Sequence, residues 1–223
     1  MEKPYVCVAG IRSDGLHVRP VLESGRLGRD LLCSRGGPFA LGAVVDLGSA
    51  RPRPVVPEVE DVVCSLSRVR SEQMLKGVTF GNLLKRSAKA SLSEIFGDDL
   101  LRMSRTATAV PKGAGIASLG VLQVRGRVSL FSTLSFEKPQ IRCTFADQGL
   151  GELSLKVTDL RLWEVDHKTP VLSRLKALES RLSDCLVAVG LGRAYRVPAY
   201  PGSWHWLQIN NIYPLEDPLW ARE

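Results

Sequence analysis

The last third of the sequence concentrates aromatic side chains of the kind that stack on nucleic-acid bases. Five of them fall within nineteen positions, in the company of two arginines and a histidine. Single-stranded nucleic acid needs this combination, because bases stack on aromatic rings while phosphates pair with cations. The aromatic residues are Tyr195, Tyr200, Trp204, Trp206 and Tyr213, and the basic residues among them are Arg193, Arg196 and His205.

The two tryptophans also admit a structural interpretation. In an extended strand Trp206 shares a face with Gln208 and lies opposite Leu207 and Ile209. If the two aliphatic side chains point into a core, Trp206 points outward. Trp204 and Trp206 then either meet bases or pack between two domains or on a partner protein, and the sequence leaves both open.

Further basic residues occur at predicted strands and at a predicted turn. Residues 101–151 hold seven Lys or Arg against two Asp or Glu, in a chain of net charge +7. A basic excess confined to certain segments favours a polyanionic partner. For His17 and Arg19 there is an alternative, in which Arg19 pairs with a carboxylate and His17 is a half-buried strand residue. The predicted contacts are His17, Arg19, Arg125, Arg127 and Arg142.

Catalytic signatures are missing from the sequence. It has no Gly-x-Ser-x-Gly nucleophile elbow, no Walker-type glycine loop and no His-Glu-x-x-His zinc motif. Asp159 is a lone carboxylate at a strand end, and Asp166-His167 is a pair without a recognisable nucleophile. A nuclease or other hydrolase needs clustered carboxylates, so we predict a protein without enzymatic activity and without a cofactor.

The cysteines do not form a metal-binding pattern. None is spaced as C-x-x-C or pairs with a histidine at ligand spacing, so we predict core thiols in a reducing compartment and no metal. No apolar run reaches the length of a membrane span, which favours a cytoplasmic protein. The cysteines are Cys7, Cys33, Cys64, Cys143 and Cys185.

Strand and helix patterns divide the first part of the chain. Apolar runs on both sides of Asp14-Gly15 predict a β-hairpin over residues 5–22, because Asp-Gly tolerates the φ angles of a tight turn. Apolar spacing of three and four predicts helices between about 71 and 103. The remaining predicted strands of this part are 43–47, 119–124 and 128–134.

The same order recurs after a junction at residues 135–139. Strands are predicted at 141–145, 153–157 and 160–163, followed by a helix over about 170–184 that starts at Thr169-Pro170. Strands at 185–189 and 205–212 complete this part.

Three strands, a helix and two strands is the order of a five-stranded OB barrel. Because this order occurs twice, we predict a mostly β protein of two tandem OB-like barrels. The first covers residues 1–135 with its helical insertion at about 71–103, and the second covers residues 136–223.

The sequence resembles the dual-OB-containing domain family of bacteria and archaea. The matching elements follow one another in the family's order over nearly the whole chain. His17 stands where the family usually has an aromatic residue. The elements are Cys7-Val8-Ala9-Gly10, His17-Val18-Arg19-Pro20-Val21, Pro57-Glu58-Val59-Glu60-Asp61, Val157-Thr158-Asp159, Val187-Ala188-Val189-Gly190-Leu191 and His205-Trp206-Leu207-Gln208-Ile209.

The resemblance implies a nucleic-acid-binding module within a prokaryotic antiviral defence or mobile-element-associated system. Single-stranded DNA or RNA, or a protein complex that carries nucleic acid, is the expected partner. An adaptor subunit that docks onto a larger protein or ribonucleoprotein complex without touching nucleic acid is the alternative, because both use basic and aromatic surface.

Overall fold

The computed structural model describes residues 5–135, 137–166 and 168–221. The predicted fold class is confirmed, since strands dominate and helices are few. The strands of the described residues are β1 (Gly10–Ile11), β2 (His17–Val21), β3 (Ala43–Asp46), β4 (Arg51–Pro52), β5 (Asp61–Val63), β6 (Arg70–Met74), β7 (Ala88–Lys89), β8 (Leu101–Ser104), β9 (Ala107–Pro111), β10 (Leu119–Val124), β11 (Ser129–Ser135), β12 (Lys138–Asp147), β13 (Gly151–Val157), β14 (Cys185–Leu191), β15 (Tyr195–Val197) and β16 (Tyr200–Pro214). The α-helices are α1 (Gly77–Ser87), α2 (Leu92–Phe96) and α3 (Leu172–Glu179), and the 3-10 helices cover Arg29–Leu31, Cys33–Arg35, Leu66–Arg68 and Leu160–Leu162.

The predicted N-terminal hairpin is present as β1 and β2. Gly15 takes a φ of 87° at its turn, and the Leu16 amide donates to the Asp14 carboxylate at 3.1 Å. Strand β2 continues into a four-stranded sheet of order β1-β2-β5-β4, in which β2 and β5 run parallel. Strands β3 and β6 form a separate antiparallel pair.

A ten-stranded sheet contains most of the second half of the chain and part of the first. Its main path is β11-β12-β13-β16-β14-β10-β7, and β13 and β16 run parallel. Strand β10 pairs with β14 and β11 pairs with β12, so these two consecutive strands together take the place of strand 1 in a five-stranded OB arrangement.

This pairing joins strands on both sides of the predicted barrel boundary at residue 135. The boundary at residue 135 falls inside the β11–β12 hairpin, where Ser135 pairs with Lys138. The main hydrophobic core likewise draws on both sides of that boundary, from Leu92 to Ile212. The division into two separate barrels with their own extents stays a prediction.

The segment predicted as helical over 71–103 is more varied than its apolar spacing indicates. Residues 71–74 belong to β6, because pairing with β3 satisfies their backbone groups, and Leu101 opens strand β8. Helix α2 lies inside the segment predicted as helical and begins at a capping box, with the Ser91 side chain accepting from the Glu94 amide at 3.3 Å.

Two further predictions in the second half need correction. Residues 160–162 form a 3-10 helix rather than a strand, because the Asp159 carboxylate accepts the Arg161 amide at 3.1 Å and closes a turn. Helix α3 begins at Leu172, and the Thr169 hydroxyl bonds Asp166 instead of capping it. Residue His167 of the predicted Asp166-His167 pair lies outside the described residues.

The C-terminal residues reach back across the fold. The Trp220 indole donates to the Ile212 carbonyl at 3.1 Å, and Leu219 and Pro218 lie against Gly42 and Gly81 of the first half. None of the helices in the described ranges has the length and apolar character needed to cross a bilayer.

Candidate functional site

The aromatic segment forms a hairpin at the edge of the ten-stranded sheet. Strand β15 pairs with the first part of β16, with Tyr195 opposite Trp204. The other edge of β16 pairs with β9, where Trp206 lies opposite Ala109. Since residues that oppose each other share a face, Tyr195, Trp204 and Trp206 occupy one side of this hairpin. The prediction that Leu207 and Ile209 point into the core is confirmed by their burial.

Four of these rings make up what we call the aromatic face: Tyr195, Tyr200, Trp204 and Trp206. The Trp206 ring lies 6.1 Å from the Tyr195 ring and 5.3 Å from the Tyr200 ring, centroid to centroid. Tyr195 is 55% exposed, although partial burial still raises the pKa of its hydroxyl. The Trp204 indole donates to the Pro201 carbonyl at 2.7 Å, which holds that ring against the turn.

The fifth aromatic residue of the segment does not belong to this face. Tyr213 is buried and meets the Phe80 ring edge-on at 5.6 Å. The guanidinium of Arg161 lies 5.5 Å from the centroid of the Tyr213 ring. Burial raises the pKa of the Tyr213 hydroxyl. Tyr213 is therefore a core residue.

His205 also turns inward and cannot meet a ligand in this conformation. It lies opposite Val110 on the buried side of β16 and is only 4% exposed. Its Nδ1 lies 2.9 Å from the Gly192 carbonyl and 3.8 Å from the Glu58 carboxylate. Alternation along the strand therefore places His205 in the core, away from the surface on which it was predicted to contact nucleic acid.

Exposed cations lie in or next to the strands that carry the aromatic face. Arg196 lies in β15 itself, and the Lys112 amide donates to the Ser203 carbonyl at 3.0 Å, which brings that residue beside the hairpin. Arg193 is 71% exposed at its side chain, yet it pairs with Glu58 at 3.3 Å and Asp61 at 3.8 Å. Among the described residues Arg196 and Lys112 form no salt bridge, whereas Arg193 shares its charge with two carboxylates.

The carboxylates that meet Arg193 come from the first half of the chain. Glu58, Glu60 and Asp61, which we call the acidic turn, are all buried. Asp61 pairs with the buried Arg19 through a short Nε–Oδ1 contact. Burial alone lowers the pKa of Arg19, but the hydrogen bond and charge of Asp61 raise it overall, so this guanidinium stays charged.

The first two predicted contacts, His17 and Arg19, therefore belong to the interior. Arg19 is 6% exposed, which contradicts its assignment as a phosphate contact and agrees with the alternative of a carboxylate pair. His17 is half-buried and its Nε2 is buried without a hydrogen-bond partner. Burial lowers the pKa of His17, and the charge of Glu60 opposes that shift only in part.

Arg125 and Arg127 are exposed but lie at the wrong end of the sheet. Val124 pairs with Cys185, at the opposite end of β14 from Leu191 and the aromatic hairpin. Seven strand residues separate these ends by about 20 Å. The Gly126 amide between the two arginines donates to Asp184 at 2.8 Å. The two arginines and the aromatic face are therefore separate surfaces.

Arg142 is held by backbone and hydroxyl acceptors. Its Nε donates to the Ser154 hydroxyl at 3.2 Å, and its Nη2 donates to the Thr106 carbonyl at 3.0 Å and to the Ser154 carbonyl. Burial lowers the pKa of Arg142. We therefore assign Arg142 a structural role, in which it ties β12 to β13 and to the turn before β9.

The structure thus gathers five of the predicted site residues at one hairpin and disperses the others. Two features were missed in the sequence. Lys112 carried no signal beyond its charge, whereas the acidic turn was visible as an unusually acidic element next to a proline. The residues brought together are Arg193, Tyr195, Arg196, Trp204 and Trp206.

Among the described residues, no group of three or more His, Cys, Asp or Glu side chains is arranged to hold a metal ion.

Comparisons with known proteins agree with this fold. Neither a curated protein nor a solved structure matches the chain. The model of the Dual OB-containing domain family matches residues 1–212. The chain therefore belongs to the Dual OB-containing domain family.

Proposed function

We propose that this protein is a non-catalytic module that binds single-stranded DNA or RNA on the aromatic face. One observation carries the proposal: Tyr195 is more than half exposed and lies beside Trp206 on a hairpin at the sheet edge. A base that stacks on such a ring gains about 1–3 kcal/mol. OB folds often bind oligonucleotides, which agrees with family membership.

The rings are held in place before any ligand arrives. Trp206 is packed between Tyr195 and Tyr200, and Trp204 is fixed by its hydrogen bond to Pro201. Rings fixed in advance lose little conformational entropy on binding, which favours affinity. Unpaired bases expose their faces for stacking, whereas bases of a duplex do not, so the proposal favours single strands.

Phosphates would be met by Arg196 and Lys112. Both are exposed, and Lys112 is tied to the hairpin through Ser203. Arg193 contributes less, because Glu58 and Asp61 already balance its charge. The proposed contact set is thus smaller than the charge of the sequence indicates, and we expect a moderate salt dependence.

The hydrogen bonds and ion pairs of the buried carboxylates support the non-catalytic part of the proposal. Each of the five accepts hydrogen bonds from backbone amides or pairs with an arginine, so each already has a structural partner inside the protein. Their partners are Arg193 for Glu58, Ser118 for Glu60, Arg19 for Asp61, Leu92 for Asp147 and Arg161 for Asp159.

Fluorescence anisotropy with labelled single-stranded DNA, single-stranded RNA and duplex of matched sequence tests the proposal. We expect the single strands to bind more tightly than the duplex. Tyr195→Ala should weaken single-strand binding by about 5- to 100-fold, the equivalent of one lost stacking contact. Phe131→Ala is the matched control, since Phe131 is also exposed but lies on β11.

Absence of oligonucleotide binding by the wild-type protein at low salt would overturn the proposal. The adaptor alternative, a subunit that docks onto a larger protein or ribonucleoprotein complex, would then stand. Equal losses for Tyr195→Ala and Phe131→Ala would also count against the aromatic face, because they would point to a general loss of structure.

A cytoplasmic place in a prokaryotic defence or mobile-element-associated system belongs to the same proposal. Its support is family resemblance alone. Plating efficiency of phages on cells that carry the wild-type gene or the Tyr195→Ala variant tests it. Protection by the wild type and its loss in the variant are expected, and equal plating on both strains would contradict this role.

A further inference from the structure

The turn before β5 has an inverted distribution of polarity. Three valines face solvent, with Val55 60% exposed, Val56 45% and Val59 39%. The acidic side chains of the same turn, Glu58 and Glu60, are 6% and 8% exposed. Burying carboxylates while exposing aliphatic side chains opposes the ordinary preference of both types. Both the burial of the carboxylates and the exposure of the valines therefore require a physical explanation.

Contacts inside the protein explain why the acidic side chains of the turn are buried. The Glu60 carboxylate accepts the Ser118 and Leu119 amides at 2.8 and 3.0 Å, and Glu58 meets Arg193. These contacts fix the backbone of the turn on its buried side. The Val59 amide also donates to the Pro57 carbonyl at 2.8 Å, which keeps the turn tight. The valines are therefore held outward by a rigid support.

A fourth aliphatic side chain extends the exposed surface. Pro57 packs against Gly115, where an added Cβ would lie 3.4 Å from the proline ring. The next residue, Ile116, is 62% exposed and rests on Gly97. Val55, Val56, Val59 and Ile116 together form what we call the aliphatic patch.

The chemistry of the patch does not fit nucleic acid. It contains no aromatic ring for a base to stack on. The charges beneath it are three carboxylates and two guanidinium groups, Arg19 and Arg193. Arg53, two positions before Val55, brings the formal balance of the turn to zero, so the turn has no excess of basic charge for phosphate. Asp98, which follows Gly97 under Ile116, is exposed and adds negative charge at the rim.

We infer that the aliphatic patch is a docking surface for a partner protein segment that carries aliphatic side chains flanked by Lys or Arg. Aliphatic contacts would remove Val55, Val56, Val59 and Ile116 from water, and basic flanking residues would complement Asp98. The patch contains none of the rings of the aromatic face, and Arg193 is the residue that contacts the acidic turn beneath the patch from the side of the aromatic hairpin. The inference does not depend on the proposed nucleic-acid binding.

A library of random peptides displayed on phage provides the probe. The full-length wild-type protein is the target, and the Val55→Ser/Ile116→Ser double variant is used for depletion. Enriched sequences should combine aliphatic residues with flanking Lys or Arg. As synthetic peptides, they should bind the double variant at least about tenfold more weakly, a loss of about 1.4 kcal/mol.

Two further variants sharpen the result. Leu134→Ser removes another exposed aliphatic side chain, on β11, and should leave peptide binding unchanged. Asp98→Asn removes rim charge and should weaken the peptides several-fold, with the loss disappearing at high salt. The circular-dichroism spectrum and Tm of each variant should match those of the wild type, because all of the substituted side chains are exposed.

Several outcomes would overturn the inference. One is a selection that enriches no peptide, or peptides that bind the double variant as well as the wild type. A fall in oligonucleotide affinity of the double variant would assign the patch to nucleic acid. Concentration-dependent association of the wild type that the double variant loses would assign it to a second copy of the chain.

Discussion

The Glu60 carboxylate accepts both the backbone amide and the hydroxyl of Ser118, each at 2.8 Å, across 58 positions of the chain. This contact joins the acidic turn of the first half to the start of β10. Because β10 pairs with β14, the contact ties the first half of the chain to the ten-stranded sheet.

Replacing Glu60 with alanine should destabilise the protein by about 3 kcal/mol, because the buried groups of Ser118 and Leu119 would lose their acceptor. Urea denaturation measures this change. Glu152→Ala is the control, since Glu152 pairs with Arg105 where both side chains are more than half exposed, and should cost about 0.5 kcal/mol. Equal losses for the two variants would contradict the assigned role of Glu60.

The Asp159–Arg161 pair should matter more than any surface pair. Both side chains are almost fully buried at a 2.7 Å contact, and Asp159 also accepts the Ile212 amide at 3.1 Å. Asp159→Ala leaves a buried guanidinium without its counter-ion and should cost about 3–5 kcal/mol. The exposed Arg181–Asp217 pair supplies the comparison, and Asp217→Ala should change unfolding by less than about 1 kcal/mol.

Stability should fall on mild acidification through His17. Burial lowers its pKa below the value of 6.5 expected in the unfolded chain, so the unfolded state takes up a proton that the folded state resists. The stability contribution is complete above that value and is lost as the pH falls toward the folded pKa. The test is the free energy of unfolding at about pH 7.5 and about pH 5.

The His17→Phe variant isolates this contribution from other titrating groups. Phenylalanine has no proton to bind, so the variant should lose less stability than the wild type over the same pH interval. An identical pH dependence in both proteins would show that His17 titrates normally in the folded state.

Cysteine reactivity should separate the exposed from the buried thiols. Burial raises the pKa of Cys185 to about 12 and also raises that of Cys143, so neither supplies thiolate near neutral pH. Alkylation followed by peptide mass spectrometry should modify the exposed Cys33 in the native protein and Cys143 and Cys185 only after unfolding. If Cys143 were alkylated in the native protein as fast as Cys33, this would contradict the buried position of Cys143 on β12.

The salt dependence of oligonucleotide binding should identify which cations meet phosphate. Loss of Arg196 and Lys112 together should reduce the slope of log K against log salt by about 1.4 for a single strand. The Arg125→Ala/Arg127→Ala pair lies at the far end of the sheet and should leave the slope unchanged. A larger effect of the second pair would place the ligand at the opposite end of β14.

Trp204→Ala should weaken single-strand binding without changing that slope, because stacking releases few counterions. Its indole also supports the turn through Pro201. The free energy of unfolding must therefore be measured alongside. A loss of folding with no oligonucleotide binding in the wild type would assign the tryptophan to packing.

Local sequence pattern determined six strands of the ten-stranded sheet but did not indicate β7, β8, β9 or β15. Alternation in β12 and β13 and the apolar run of β14 predicted extended segments close to their observed bounds, because side chains on a strand face opposite sides at every step. The outward direction of Trp206 followed from the same rule. The family resemblance was also visible in the order of short elements.

Tertiary structure decided what those elements pair with. Residues 71–74 have helical apolar spacing but join β3, since strand pairing satisfies their backbone groups. Strands β10 and β11 separate at Arg125–Val128 and pair with different partners, which no local pattern encodes. The β11–β12 hairpin therefore spans the boundary predicted at residue 135, and the division into two barrels stays a prediction.

The roles of charged residues depended most on distant contacts. Arg19 looked available on its strand, yet Asp61, 42 positions away, holds it in the interior. Glu58 and Glu60 could be buried, and Val55 and Val59 exposed, only because Arg193 and the Ser118 amide arrive from elsewhere in the chain. The sequence by itself determines the strands with strict alternation or a long apolar run, such as β12, β13 and β14. Only the tertiary structure decides which charges are neutralised, because the free energy of a buried charge depends on partners that folding brings together.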